Sequence, residues 1–306
     1  MPKRSIPNPI ARIVASGAVA LSCVVSTPVA AQEVPVNAAT VAIHIDLAGR
    51  QRMLAERMAS QFCYARSQVD TFESLDELKT SVELFNQTHV GLKRGDADLQ
   101  LFEETKPAML KAWSQVNLLW VPLKGLYEQI FEGEFVSEED YSLANGLTVE
   151  VRARANDMVA RMRSAYAEEL GGDGFGDALL LDLYGRQRML SQKLSKEVCL
   201  AAGGFELDAT LPELEATLKL FDRSLGAFLE GLPVAGVPKP PTDEISAQLA
   251  VANATWSEIS YIPQTIVTGG SLGLRELSVF RQGASKFLRE MNQAVAMLTA
   301  LKTNGS

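Results

Sequence analysis

Arginine is well suited to gripping a small planar oxyanion, because its fixed fork of N–H donors can meet two oxygens at once. The chain sets out such forks twice in one phrase, "DLAGRQRML" from Asp46 to Leu54 and "DLYGRQRML" from Asp182 to Leu190, 136 residues apart. A match of this length within 306 residues marks an internal repeat. Each copy carries a glycine, two arginines and a glutamine: Gly49, Arg50, Gln51 and Arg52, then Gly185, Arg186, Gln187 and Arg188.

On a helix, at about 100° per residue, Leu47, Leu54, Met58 and Phe62 form one stripe that must face a core, with Gln51 inside it and Arg50 at its edge. Arg50 and Gln51, and with them Arg186 and Gln187, have a purely structural reading. The arginine lays its stem over apolar surface and pairs with Asp46 at four residues' spacing, while the glutamine satisfies a buried helix end. Arg52 projects from the opposite face, among Ala48, Gly49, Ala55, Ala59 and Cys63. In the second copy Gly185, Ser191, Ser195 and Cys199 surround Arg188, with Tyr184 the one bulky exception. Small residues admit a second helix at close range, and the natural partner is the other copy.

Two consequences of such a seam are open. Arg52 and Arg188 would converge beside Gly49 and Gly185, where an oxyanion between them relieves their repulsion. Alternatively both arginines pair with exposed carboxylates such as Glu56 and hold no ligand. Cys63 and Cys199 also stand 136 residues apart, about three turns beyond the arginines. They are either a disulfide joining two parallel helices or two small buried cysteines.

The elements that would position these residues are helical. Apolar spacing predicts a first helix from Ala38 to Gln68 and a second over "TFESLDELKTSVELFNQTHVGL", opened by Ser74 with Glu77 as a capping box. A third follows from Thr105 to Phe131, with Pro122 a kink or break, and a fourth from Ser137 to Leu170. The glycine-rich "GGDGFGD" from Gly171 to Asp177 separates the copies. Leu75, Glu77, Leu78, Phe85, Gly95 and Asn156 then return as Leu211, Glu213, Leu214, Phe221, Gly231 and Asn292. No strand or hairpin signal competes. The expected fold is all-α, two tandem four-helix bundles of up-down-up-down topology, with domains at 38–170 and 175–302.

Residues 1–31 read as a secretory signal: Lys3, Arg4 and Arg12, an apolar run from Ile13 to Val25, and cleavage between Ala31 and Gln32. That run is short of the about 20 residues of a membrane span, and no later segment reaches that length without a charge. Cleavage would leave 26 basic against 37 acidic residues, a net charge of −11, which argues against nucleic acid as a partner. Any bound anion must then be held by a few cations placed against the global field. His44 and His89 lack metal spacing, no HExxH, CxxC or Glu-x-x-His motif occurs, and neither cysteine has a histidine beside it in sequence. Neither a metal, a cofactor nor an enzymatic activity is expected.

"DLAGRQRMLAERMA" and "DLYGRQRMLSQKLS" resemble the helix-one signature of the PilJ-type sensor domain, the N-terminal domain of type IV pili methyl-accepting chemotaxis transducers. They are also similar to the periplasmic motif of nitrate- and nitrite-responsive histidine kinases. The resemblance implies a periplasmic four-helix bundle that pairs through helix one and binds nitrate or nitrite at the seam, through Arg52, Arg188, Gly49 and Gly185. A later family arginine matches Arg57, where the second copy has Lys193. It implies further a membrane-bound signalling partner, and a pseudo-dimer within one chain or a homodimer of two. The rival reading is a helical scaffold of the cell envelope with no small ligand.

Overall fold

The computed structural model describes residues 33–132 and 136–304; the expected signal segment, residues 1–31, lies outside them. The fold is all-α. The first repeat supplies α1 (Ala38–Arg66), α2 (Thr71–Arg94), α3 (Pro107–Phe131) and α4 (Glu138–Ala165). The second supplies α5 (Ala167–Ala202), α6 (Leu207–Glu230), α7 (Asp243–Ile259), α8 (Tyr261–Val267) and α9 (Leu274–Asn304).

Local chemistry sets most of the ends. Asn37 caps α1 reciprocally with Thr40, Ser137 accepts from the Asp140 amide at α4, and Thr242 accepts from Ile245 at α7. Gly95 and Gly231, matched across the repeat, end α2 and α6 at the same positive φ of 77°. Pro122 lies inside a continuous α3, whereas the third helix of the second repeat divides at Ser260. Pro263, three residues on, has no N–H to give and its ring crowds the Ile259 carbonyl.

Two sequence expectations, the Ser74 cap and the absence of a hairpin, are corrected. Ser74 does not cap α2: the helix starts at Thr71, Ser74 donates to the Val69 carbonyl, and Glu77 is drawn into contacts with other helices. Within the glycine-rich segment α5 kinks at one non-helical residue, Gly171, at φ 66° and ψ 179°. A short antiparallel hairpin, β1 (Gly95–Asp96) and β2 (Leu101–Glu103), had no alternating pattern to announce it because each strand is only two or three residues long.

Pairings between helices fix their directions. Trp120 reaching Asn86 and Trp113 reaching the His89 carbonyl set α3 antiparallel to α2. Arg52 reaching Asn156 and Glu56 reaching Arg152 set α4 antiparallel to α1, so the first repeat runs up, down, up, down. The second repeats this, with α6 and α9 packed on α5.

All helices of both repeats belong to one compact unit, Glu33–Ser306, whose most extensive helix contact is α1 on α5. Of the 29 residues of α1, 20 are buried, which places it at the centre rather than on a surface. Trp120, Phe85, Tyr127, Phe221, Phe280 and Phe287 fill the flanking cores.

Candidate functional site

Along the α1–α5 seam, Arg52 meets Asp182, Asp46 meets Arg188, Ser60 bonds Ser195 and Cys63 joins Cys199, so the two helices run parallel. The cysteines form a disulfide with Cα atoms 6.1 Å apart. Such proximity depends on the small strip, because Ala48, Ala55, Ala59 and Ser195 are all buried between the helices.

The repeated arginines sit in this seam in matching surroundings. Arg52 donates through Nη2 to Asp182 Oδ1 at 2.5 Å, through Nη1 to Asn156 Oδ1 at 3.0 Å and through Nε to the Gly49 carbonyl at 3.2 Å. Arg188 donates through Nη2 to Asp46 Oδ1 at 2.6 Å and through Nη1 to Asn292 Oδ1 at 3.1 Å. The two guanidinium groups are 1% and 3% exposed. Each glycine leaves room for them. A Cβ on Gly49 would lie 3.0 Å from Arg52 Nη2, and one on Gly185 would lie 3.3 Å from Arg188 Nη2 and 3.6 Å from Arg52 Nη2. Both forks therefore meet at Gly185, and Arg52 alone reaches Gly49.

Solvated pairing with Glu56 is overturned. Glu56 is fully buried and binds Arg152 and Lys196, each at 2.6 Å, while the arginines of the phrase are met by aspartates of the opposite repeat. The local pairing expected of the other arginines forms in one copy: Arg186 meets Asp182 at 3.1 Å, but Asp46 Oδ1 is taken by Arg188 and Arg50 Nε finds no acceptor. The glutamines divide likewise. Gln187 bonds the Phe221 carbonyl and Ser224, whereas both side-chain ends of the buried Gln51 lack partners, against the expectation that it satisfies a helix end. Arg57 and Lys193 meet the matched glutamates, Glu77 at 3.1 Å and Glu213 at 2.7 Å.

Charge is unevenly shared. Asp182 is fully buried under Arg52, Arg186 and Arg163, the last at 3.2 Å. Burial by itself would raise its pKa, but the three cations outweigh burial and hold it below the ordinary carboxylate value. Asp46 is 18% exposed and takes one ion pair. Burial lowers the pKa of Arg52 and Arg50, opposed by Asp182 and by Asp46 respectively, and Arg188 presses both further down. Five guanidinium groups thus face two carboxylates in a chain whose formal net charge is −8. Two buried donors, Arg50 Nε and Arg188 Nε, have no acceptor.

The sequence reading missed Arg163, which stands outside any repeated motif, and the cross-repeat role of Asp46 and Asp182, which lay inside the quoted phrase. Asn156 and Asn292 were visible as a repeated pair without an assigned task.

The structure is thus a doubled helical bundle joined through its first helices, with paired arginines at the joint. The chain belongs to the PilJ family, described as the N-terminal region of type IV pili methyl-accepting chemotaxis transducers, whose profile matches residues 38–136 and 175–261, more than half of its length. Both matched segments stop before α4 and α9, which supply Asn156, Arg163 and Asn292. No curated protein matches the chain. No described helix is long and apolar enough to cross a membrane.

Proposed function

We propose that the chain is an exported, non-catalytic periplasmic sensory protein that binds a small oxyanion, nitrate or nitrite, in the α1–α5 seam and signals to a membrane-bound partner. Arg52 and Arg188 grip the anion, Gly49 and Gly185 let it approach the backbone, and Arg50, Arg186, Gln51 and Gln187 support the site. The observation that carries this reading is the local surplus of cations with Arg50 Nε and Arg188 Nε unpaired, since buried donors without acceptors are costly and an oxyanion would satisfy them. Its entry would exchange the half-open Asp46 carboxylate for ligand oxygens. Membership of the transducer family supports the sensory role and the periplasmic setting.

Calorimetric titration of the oxidised protein with nitrate, nitrite and chloride tests it. One saturable nitrate or nitrite site per chain, lost in the Arg52→Ala/Arg188→Ala double variant, is the expected result. One site per two chains would move the seam between molecules. A second reading, a ligand-free helical scaffold, is favoured by the aspartate already set against each arginine; binding of neither oxyanion would establish it over the first.

A further inference from the structure

The two repeats keep one register around α2 and α6, yet one side is filled and the other is hollow. On the filled side Arg281 of α9, 4% exposed, crosses to α2 and donates from Nε and Nη2 to Asp70 Oδ2 at 2.9 and 2.8 Å, and from Nη1 towards Glu77 Oε1 at 3.3 Å. Gln282 adds a bond to Asp70 and Ser285 one to Glu77, each at 3.1 Å. Asp70 starts its helix at φ 43°, ψ 51° without capping it, leaving the carboxylate free to take the guanidinium.

At a shift of 136 residues the acceptors persist and the plug does not. Glu206 stands for Asp70 with the same backbone, φ 43° and ψ 50°, and Glu213 stands for Glu77. Arg281, Gln282 and Ser285, however, correspond to Asn145, Gly146 and Val149 on α4. The truncation leaves a cavity of about 350 Å³ lined by these residues and by Leu200 and Phe205.

The cations of this cavity are already occupied. Lys193 is bound by Glu197 and Glu213, and Arg152 and Lys196 are both held by the buried Glu56. Acceptors are in surplus. Glu197, with a side chain 4% exposed, lines the cavity and its Oε2 accepts from no donor. An incoming ligand therefore finds an unfilled carboxylate oxygen and an apolar wall, although Arg152 and Lys196 stand here where the other side has Leu288 and Ser60.

We propose that this cavity is a binding site for a small organic cation, a guanidinium on a short apolar stem, which takes the place that Arg281 fills in the other repeat. The site lies on the α4, α5 and α6 face and is separate from the arginine seam.

Agmatine titrated into the full-length, oxidised protein is the test, with N-(4-aminobutyl)urea, which keeps the terminal ammonium and replaces only the guanidinium by a neutral urea, as control. Saturable agmatine binding is expected, with none for the urea. Glu206→Gln should weaken it at least tenfold, and Asn145→Arg, which rebuilds the plug, should abolish it while Asn145→Ala retains it. Arg52→Ala/Arg188→Ala should leave it unchanged. If Asn145→Arg fails to fold by circular dichroism, Glu206→Gln alone decides. Absence of saturable agmatine binding at millimolar concentration, equal binding of the urea, or undiminished binding by the variants would overturn the proposal.

Discussion

Arg188 of the second repeat donates to Asp46 of the first at 2.6 Å, and this ion pair is the more accessible of the two arginine–aspartate pairs that cross the seam. Its partner, Arg52 with Asp182, is closed off from solvent. An anion competing for the arginines must therefore displace Asp46 before Asp182. Asp46→Asn keeps the shape and an acceptor oxygen but removes one negative charge and so weakens the hold on Arg188 Nη2, and nitrate affinity should rise several-fold by calorimetry. An unchanged or weaker affinity would mean that the anion does not use Arg188.

Gly49 and Gly185 can be separated by the space each leaves. Gly49→Ala puts a methyl 3.0 Å from Arg52 Nη2 and must shift the fork away from Asp182; Gly185→Ala meets its nearest atom at 3.3 Å and is milder. Loosening a buried ion pair costs about 3 kcal/mol when a partner is lost outright, so Gly49→Ala should lose about 1–3 kcal/mol and Gly185→Ala less. Urea unfolding of the two variants side by side measures the order, and the reverse order would refute the geometry.

The Cys63–Cys199 bridge closes a loop of 136 residues. Restricting an unfolded loop of that size stabilises the fold by about 3–5 kcal/mol in the chain-entropy account. Cys63→Ser/Cys199→Ser should lower the denaturant midpoint accordingly, as should reduction of the native protein, while reductant should leave the double variant unmoved.

Acid should weaken the protein in a defined window. His44, stacked on Phe102 at 4.2 Å, and His89, stacked on Trp113 at 4.5 Å, are buried, and burial lowers both pKa values to about 4. Their unfolded values lie near 6.5, so between pH 6.5 and 4 the unfolded chain binds more protons, and stability is full above that window and lost as pH falls through it. Each histidine contributes about 3 kcal/mol over the full window. Asp182 adds a loss only at lower pH, because its folded pKa is depressed below the ordinary value near 3.8. Urea midpoints taken from pH 7 to 4.5 should fall steadily, and His44→Phe/His89→Phe should flatten the slope; a slope equally steep in the variant would assign it to other groups.

Much of this protein is written in its sequence. The 136-residue repeat, the helical spacing of Leu47, Leu54, Met58 and Phe62, and the small face around Arg52 determine an all-α fold and single out the seam, because periodicity and residue size are local properties. What the arginines meet is not local. Asp46 and Asp182 stand within helical reach of Arg50 and Arg186, and a one-dimensional reading pairs them there, but the parallel packing of α1 on α5 turns Asp46 to Arg188 and Asp182 to Arg52. Glu77 looks like a cap for Ser74 until α9 brings Arg281 to it. Asp46 and Glu77 leave their sequence neighbours for partners more than 100 residues away, and Asp182 keeps Arg186 while gaining Arg52, because a charge buried in the assembled bundle is costly unless it is paired there. The tertiary structure alone decided those partners, and with them which repeat is filled by its own arginine and which is left hollow.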